Sequence, residues 1–141
     1  MNVEKTLMYL RKSRSDNPSE TVEEVLFKHY TILQDFCRRE CGEEIPEANI
    51  YREVVSGESI ADRKEIKKVL TRTENEEIDG IVVVEPQRLA RGDLIDCGML
   101  INILQYTKTL VITPTITYDL ENKMERRFFQ DELMRGRDYL E

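Results

Sequence analysis

The segment that most constrains the fold is a run of four β-branched residues at positions 81–84, Ile-Val-Val-Val. β-Branched side chains favour extended backbone, so the run predicts a strand. Because no polar residue interrupts it, both faces of this strand must be covered by other parts of the protein. Sheets covered on both faces are typically parallel sheets flanked by helices, so the run predicts an α/β domain.

Strand-like and helix-like segments alternate on either side of this run. Short segments rich in β-branched residues separate longer segments whose apolar residues recur at helical spacing. The alternation predicts a mostly parallel central sheet of about four to five strands, flanked by helices and followed by a long C-terminal helix. The strands are predicted at residues 6–10, 50–55, 81–84 and 109–113, and the helices begin near residues 21, 62, 93 and 120.

Capping residues mark three of the predicted helix starts. Thr21 and Glu24 have the spacing of a capping box, in which the hydroxyl and the carboxylate each accept a backbone N–H of the first turn. Asp62 and Glu65 form the acidic variant of this box, and Asp93 can cap the third helix. We therefore expect Asp62 to cap the second helix.

The composition fits one domain with a substantial core, since 40% of the 141 residues are hydrophobic and 35% are charged. No segment looks like a membrane span or a secretory signal, so we expect a cytoplasmic location. The three cysteines, Cys37, Cys41 and Cys97, lack the paired spacing of a zinc site, and thiols are expected in a reducing compartment. We expect neither a metal nor another cofactor.

The formal net charge of −7 at pH 7 is unusual for a protein that binds DNA by itself. The charge is unevenly distributed: residues 20–62 contain eleven acidic and four basic side chains, whereas residues 1–18 carry a net charge of +2. A basic site can therefore exist near the N-terminus, but we expect the domain alone to bind DNA weakly.

Tyr9, Arg11 and Ser13 lie at alternate positions where the first predicted strand ends. Alternate residues of a strand point to the same face, so these three side chains converge. Functional sites of parallel α/β sheets lie at the carboxyl ends of the strands. Taken alone, however, the segment is more typical of a solubilising basic loop with an incidental serine.

Two further loops carry arginines after predicted strands. Arg63 follows the second strand, and Arg88 and Arg91 follow the third. At one sheet edge they would join Arg11 around Ser13, and such positive charges repel one another unless an anion lies between them. A phosphodiester is a suitable anion, because guanidinium groups stay charged and donate paired hydrogen bonds to phosphate oxygens. The pattern indicates phosphoryl transfer, in which pre-placed cations stabilise the transition state.

Three motifs, in this order, resemble the resolvase/invertase family of serine recombinases. They are Tyr-x-Arg-x-Ser at residues 9–13, Ser-Gly at 56–57 followed by Asp-Arg at 62–63, and Arg-Leu-x-Arg at 88–91. The segment at residues 113–119 is similar to that of the large serine recombinases, the transposon and phage integrases. The resemblance covers nearly the whole chain and implies a resolvase-like fold.

The resemblance implies roles for individual residues. The nucleophile would be Ser13. The arginines around the scissile phosphate would be Arg11, Arg63, Arg88 and Arg91. Supporting groups would be Tyr9, Glu53, Ser56, Arg72 and Gln87.

Two of the matching positions differ from the pattern of the family. Gln87 stands where relatives commonly have aspartate, and an amide can still orient Arg88 but cannot take up a proton. His29 falls where relatives carry a glutamine, and it is equally well explained as a buried helix residue without a chemical role.

By the same resemblance, the chain is expected to cut and rejoin DNA. The serine would attack a phosphodiester, form a 5′-phosphoserine link and release a 3′-hydroxyl, without ATP or metal. Its partners would be double-stranded DNA at recombination sites and further copies of the protein, which would form a dimer or tetramer through the C-terminal helix. Residues 1–119 would be the catalytic core and residues 120–141 the start of the interface helix, with DNA-sequence recognition beyond residue 141.

Three large apolar residues of the last predicted helix, Phe128, Phe129 and Leu133, support this expectation. They would be costly to leave exposed to water. No clear stop signal follows them apart from the single Gly136. We therefore expect the chain to be part of a longer protein that covers these side chains.

Two other function classes remain open. A non-catalytic α/β module that binds phosphate, similar to a response-regulator receiver, would need a carboxylate cluster at the strand ends, whereas the first strand here ends in Arg-Lys-Ser. A phosphatase or nuclease would be expected to have more than the single histidine of this chain, or a Cys-x5-Arg loop. Covalently trapped DNA would separate a recombinase from both.

Overall fold

The computed structural model describes residues 1–13, 16–54, 60–90 and 93–140, with side chains of the last helix described up to Arg135. The strands are β1 (Thr6–Arg11), β2 (Ile50–Glu53), β3 (Gly80–Val82), β4 (Leu110–Ile112) and β5 (Thr117–Tyr118). The helices are α1 (Val22–Cys41), α2 (Lys64–Asn75), α3 (Leu94–Tyr106) and α4 (Lys123–Leu140). Within these ranges, no helix combines the length and the hydrophobicity that crossing a bilayer requires.

The strands form one sheet in the order β2-β1-β3-β4-β5. β1 to β4 are parallel, and β5 runs antiparallel to β4. The predicted mostly parallel sheet with flanking helices and a C-terminal helix is therefore confirmed. The sequence predicts no strand at Thr117 and Tyr118, because two residues are too few for a periodic pattern. Val55, the last residue of the predicted second strand, lies outside the described residues.

Helices cover both faces of the sheet. α1 packs on one face, where Met8 and Leu10 of β1 meet Leu33. α2, α3 and α4 cover the other face, where Leu7 and Tyr9 of β1 lie in the larger core. Alternate residues of β1 therefore belong to different cores, as expected for a strand that is buried on both sides.

The predicted caps of α1 and α3 are confirmed. Thr21 Oγ1 accepts the N–H of Glu24 at 3.1 Å, and the Glu24 carboxylate accepts the N–H of Thr21 at 3.4 Å. α1 ends at Gly42, whose φ of +76° lies in the left-handed region that favours glycine. At the start of α3, Asp93 Oδ1 accepts the N–H groups of residues 95 and 96 at 2.8 and 3.1 Å.

The predicted cap of α2 by Asp62 is wrong. The helix begins two residues later, and Arg63 at the N-cap position makes no capping hydrogen bond with its side chain. Instead Glu53, at the end of β2, accepts the backbone N–H groups of Glu65 and Ile66 at 3.1 Å. A carboxylate from a neighbouring strand thus does the work of a local cap and faces the positive end of the helix dipole.

α4 packs on its own domain. Phe129 and Leu133 are completely buried in the core that α2 and α3 also line. The Phe129 ring meets Tyr118 edge to face, with 5.5 Å between ring centroids. The expectation that these two side chains need protein beyond the chain is therefore wrong, because the core of their own domain buries them. Met124 and Phe128 are 68% and 58% exposed.

Candidate active site

Two loops begin side by side at the switch point of the sheet, where neighbouring strands send their connections in opposite directions. From β1 the chain crosses to β2 on one side, and it later enters β3 on the other side of β1. The loops that follow β1 and β3 therefore diverge at the carboxyl edge, where parallel α/β sheets bind ligands. Ser13 lies in the loop after β1 and Arg88 in the turn after β3, and both are only 5% exposed.

Tyr9, Glu53 and Arg63 form a buried group at this edge. The Tyr9 hydroxyl donates to Glu53 Oε2 at 3.0 Å and accepts from Arg63 Nη1 at 3.1 Å. Burial raises the pKa of Tyr9, and the positive charge of Arg63 opposes this only in part. The phenol therefore stays protonated and bridges a buried carboxylate and a buried guanidinium.

Arg11 and Arg63 hold the turn after β3 in place. Arg11 donates to the carbonyl oxygens of Gln87 at 2.7 Å and Arg88 at 2.8 Å. Arg63, which is completely buried, donates to the carbonyl oxygens of Arg88 at 3.1 Å and Leu89 at 2.6 Å. These bonds satisfy buried backbone groups of the turn.

Both terminal nitrogens of Arg88 have protein partners. Nη1 donates to the carbonyl oxygen of Arg11 at 3.0 Å and to Asp16 Oδ2 at 2.5 Å. Nη2 donates to Asp16 Oδ1 at 3.0 Å and forms an ion pair with Glu85 Oε1 at 2.8 Å. The side chain of Asp16 is 11% exposed and that of Glu85 is 42% exposed. The pair with Asp16 is therefore buried and bidentate, whereas the pair with Glu85 is solvated.

Asp16 also contacts the backbone of Ser13. Its Oδ2 accepts the N–H of Ser13 at 2.7 Å, and its own N–H donates to the Ser13 carbonyl oxygen at 3.0 Å. Burial by itself would raise the pKa of Asp16, but the hydrogen bonds from Arg88 and Ser13 outweigh it and hold that pKa below its usual value. One carboxylate oxygen is thus shared by the predicted nucleophile and an arginine.

The side chain of Gln87 does not orient Arg88. Its Nε2 donates to Glu132 of α4 at 3.3 Å, and its Oε1 has no hydrogen-bond partner among the described residues. The backbone of Gln87 does belong to the cluster, because its carbonyl oxygen accepts from Arg11. The amide therefore connects the turn after β3 to α4 instead of supporting the arginine.

His29 is buried on α1, close enough to Asp16 and Arg88 to be influenced by their charges. Burial lowers the pKa of His29, the positive charge of Arg88 lowers it further, and Asp16 partly opposes the shift. Nδ1 has no hydrogen-bond partner in the part of the chain that the structure describes. The imidazole is therefore neutral near pH 7 and adds no positive charge to the site.

Arg72 lies at the opposite edge of the sheet. Its guanidinium donates two hydrogen bonds of 3.0 Å to Glu76, one of 2.7 Å to Asn49 Oδ1 and one of 3.3 Å to the Tyr51 hydroxyl. Because Asn49 directly precedes β2, this position is at the amino ends of the strands, whereas Ser13 follows a carboxyl end. The geometry gives no support to a role for Arg72 in the site.

The structure brings most of the predicted site residues to one edge of the sheet. Those that meet there are Ser13, Arg11, Arg63, Arg88, Tyr9 and Glu53. Ser56 and Arg91 lie outside the described residues. Sequence reasoning missed Asp16 and Glu85 as partners of Arg88. An aspartate three residues after the serine was a usable signal, because aspartate side chains often hydrogen-bond to nearby backbone in turns.

The cluster combines positive and negative groups. Arg11, Arg63 and Arg88 supply three permanent positive charges at the edge where Ser13 lies, and Asp16, Glu53 and Glu85 supply three carboxylates. A phosphate can replace a carboxylate on a guanidinium, because both present paired oxygens to its planar donors. Among the described residues, no three metal-ligating side chains lie close enough together to hold a metal ion.

Comparison with protein families gives one match that covers most of the chain. The model described as "Resolvase, N terminal domain" matches residues 6–133. This span includes every strand and the first half of α4.

Solved structures share the fold. The N-terminal catalytic domain of TP901-1 integrase has a TM-score of 0.67 at 16% identity, over 91% of this chain and 90% of that one. The C-terminal catalytic domain of ISC1926 TnpA, an IS607-like serine recombinase, has a TM-score of 0.58 at 14% identity, over 89% and 94%. A serine recombinase from Sulfolobus solfataricus has a TM-score of 0.53 at 19% identity, over 87% and 74%.

Proposed function

Because the chain belongs to the resolvase N-terminal domain family, we propose that it is the catalytic domain of a site-specific DNA recombinase, with Ser13 as its nucleophile. The observation that carries this proposal is the position of Ser13 at the switch point of the sheet, linked through one Asp16 oxygen to the guanidinium of Arg88. A hydroxyl beside pre-placed permanent cations suits attack on a phosphodiester.

In the proposed reaction, Ser13 Oγ attacks the phosphorus of a DNA phosphodiester. A serine–phosphorus ester bond forms and the bond from phosphorus to the deoxyribose 3′-oxygen breaks, which gives a 5′-phosphoserine and a 3′-hydroxyl. The serine loses one proton and the 3′-oxygen gains one, so the step needs no oxidant, reductant or nucleotide. After strand exchange, a 3′-hydroxyl attacks the phosphoserine, reseals the strand and restores the serine.

The arginines would divide the work in this reaction. Arg11 and Arg63 would keep the shape of the turn after β3, since they donate to its carbonyl oxygens. Arg88 would contact the phosphate after the phosphate replaces one of its carboxylate partners. Glu85 is the easiest to exchange, because its carboxylate is 42% exposed and can move into water at little cost. The resemblance alone supports Arg91 as a further phosphate contact.

The proposed partners are double-stranded DNA and further copies of the protein. The exposure of Met124 and Phe128 on α4 supports association through this helix, since Phe129 and Leu133 already serve the core of the domain. We propose a dimer or tetramer that covers this outer face of α4. A cytoplasmic location follows from the proposed substrate.

The acidic balance of the chain supports weak DNA binding by this domain alone. A net charge of −7 repels the DNA backbone outside the small basic site. Sequence-specific recognition would then need surfaces outside this domain. Nanomolar binding of this chain to duplex DNA in a salt titration would contradict the proposal that DNA recognition needs surfaces outside this domain.

Covalent capture tests the proposed nucleophile. The longest natural form of the protein is incubated with sheared genomic DNA of its host, denatured and digested, and the peptide that contains Ser13 is examined by mass spectrometry. We expect a phosphodeoxynucleotide on Ser13, none with Ser13→Ala, and an unchanged yield with Ser19→Ala, an exposed serine nearby in the sequence. An adduct on another residue, or one that survives Ser13→Ala, would show that the assignment is wrong.

A further inference from the structure

We propose that Asp16 is a positioning residue for the attack by Ser13, one that fixes the serine backbone against Arg88. This inference rests on the proposed function and adds a residue that neither the motifs nor the family match assign. It follows from three features of the described residues: the contacts of Asp16 to Ser13, its contacts to Arg88, and its difference from Glu85.

Asp16 holds both sides of the Ser13 backbone. Its carboxylate accepts the Ser13 N–H at 2.7 Å, and its N–H donates to the Ser13 carbonyl oxygen at 3.0 Å. The two bonds close a turn in which the serine has little freedom to rotate about its own backbone. Asp16 therefore fixes the backbone from which the Ser13 side chain projects.

The same carboxylate ties this turn to the sheet. Both of its oxygens accept from Arg88, at 2.5 and 3.0 Å. Arg88 is itself 5% exposed and donates to the carbonyl oxygen of Arg11, the last residue of β1. A continuous chain of hydrogen bonds thus runs from the strand through Arg88 and Asp16 to Ser13.

A carboxylate suits this position better than an amide. The Asp16 side chain accepts three hydrogen bonds, one from Ser13 and two from Arg88, so both oxygens are needed. An asparagine would offer one oxygen and would direct an NH₂ group at donors. The hydrogen bonds from Arg88 and Ser13 also hold the pKa of Asp16 low despite its burial, so the carboxylate is charged at neutral pH.

Glu85 provides a matched control. It forms an ion pair with the same Arg88 at 2.8 Å, but it is 42% exposed and no contact joins it to Ser13 within the described residues. If Asp16 only balanced the positive charge of Arg88, Asp16 and Glu85 would be equivalent. If the link to Ser13 matters, Asp16 alone is required.

The experiment compares Asp16→Asn, Asp16→Glu and Glu85→Gln in the longest natural form of the protein. The DNA probe is the duplex fragment recovered from the covalent capture with wild-type protein. Two quantities are measured: the single-turnover rate of Ser13 adduct formation at saturating DNA, and the hydrogen-exchange rate of the Ser13 amide without DNA.

We expect Asp16→Asn to slow adduct formation by roughly 100-fold, the usual effect of a small misplacement of a reacting group. Its Kd for DNA should be equal or lower, because a negative charge has been removed. The Ser13 amide should exchange faster in Asp16→Asn. Glu85→Gln should leave the exchange rate of that amide near the wild-type value and should not slow adduct formation, because it removes only the carboxylate that the phosphate would displace from Arg88. Asp16→Glu, which keeps the charge but adds a methylene, should also slow adduct formation if Asp16→Asn fails to fold.

Three outcomes would overturn the inference. Adduct formation by Asp16→Asn at or above the wild-type rate would mean that Asp16 does not help, or competes with the phosphate. An equally large decrease in the rate of adduct formation by Glu85→Gln would show that Asp16 only balances the charge of Arg88. An unchanged hydrogen-exchange rate of the Ser13 amide in Asp16→Asn would show that Asp16 does not hold the Ser13 backbone. Absence of any Ser13 adduct in the wild type would instead refute the recombinase proposal itself, and the exchange rates would still decide whether Asp16 holds Ser13.

Discussion

α2 carries an arginine near each end, and the two have opposite surroundings. Arg63, at the N-terminal end, is completely buried and donates to two carbonyl oxygens and the Tyr9 hydroxyl. Arg72, near the C-terminal end, is partly exposed and donates mainly to the exposed Glu76. Both were predicted as site residues from the sequence, yet they belong to two separate clusters.

We call these the carboxyl-edge cluster and the amino-edge cluster. Members of the carboxyl-edge cluster are Arg11, Arg63, Arg88, Tyr9, Glu53 and Asp16. Members of the amino-edge cluster are Arg72, Glu76, Asn49 and Tyr51.

The clusters differ in their access to water because they lie at opposite edges of the sheet. At the carboxyl edge, the loops after β1 and β3 fold over the arginines and exclude water, so each charge needs protein partners. At the amino edge, water remains available and a broken ion pair is readily hydrated. Stability should therefore depend strongly on the first cluster and weakly on the second.

The largest effect is expected for Arg63→Met. The substitution leaves the Leu89 carbonyl oxygen and the Tyr9 hydroxyl without the Arg63 donor, and it removes a positive charge from the buried group that contains the Glu53 carboxylate. Removing one partner of a buried charge network costs about 3–5 kcal/mol in the free energy of unfolding. Urea denaturation followed by circular dichroism measures this, and Arg72→Met is the matched control with a clearly smaller loss. Equal decreases in the free energy of unfolding of Arg63→Met and Arg72→Met would contradict the proposed difference between the two clusters.

A smaller loss, about 2 kcal/mol, is expected for Glu53→Gln. Oε2 accepts from the Tyr9 hydroxyl and from the N–H groups of Glu65 and Ile66, and a neutral amide oxygen would accept these hydrogen bonds more weakly than a carboxylate. The amide NH₂ group would also face the Glu65 N–H, which Oε1 now accepts at 3.2 Å. The same denaturation measurement applies, with Glu76→Gln as the solvated counterpart. If Glu53→Gln were as stable as the wild type, the strand carboxylate would not be an effective cap for α2.

The next effect depends on pH and concerns Asp16. Its pKa is lower in the folded protein than the usual 3.8, so the folded state favours the carboxylate. Its contribution to stability is therefore complete above about pH 5 and is lost as the pH falls through about 4 towards the folded pKa. The stability difference between wild type and Asp16→Asn should shrink over that fall. A difference that stays constant would mean that the carboxylate is not held by Arg88 and Ser13.

The smallest effect concerns salt. Hydrogen bonds from Arg72 lower the pKa of Glu76, but the carboxylate lies in solvent, where salt screens its attraction to the arginine. The small stability difference between wild type and Arg72→Met should therefore decrease in about 1 M NaCl, whereas the difference for Arg63→Met should persist. The reverse pattern would show that the amino edge is the drier of the two.

Much of the fold could be predicted because the signals are local. The β-branched run at residues 81–84, the capping box at Thr21 and the cap at Asp93 each depend on neighbours in the sequence. The two caps form as predicted, and the run gives a buried strand that covers Gly80–Val82 instead of residues 81–84. The resemblance to serine recombinases, which rests on three short motifs, is also confirmed by the family match. Local patterns survive folding because they act through the backbone of the same segment.

The site was predictable in outline but not in its contacts. Periodicity and strand order indicate that Ser13, Arg11 and Arg88 reach one edge. They do not show that Glu53 replaces Asp62 as the cap of α2, or that Gln87 turns towards Glu132. Each of these contacts joins residues that are distant in the sequence, so no window along the chain contains both partners.

By itself, the sequence determined the alternation of strands and helices, the arginine-rich loops after the strands and the family. Tertiary structure alone decided which arginines are buried, because burial depends on what packs above each edge of the sheet. It also decided that Asp16 meets both Ser13 and Arg88, since the arginine arrives from a strand that is separated from Asp16 by more than sixty residues. The exclusion of water depends on how the whole domain packs. Because water is excluded, these ionic contacts are strong enough to hold the loops in place.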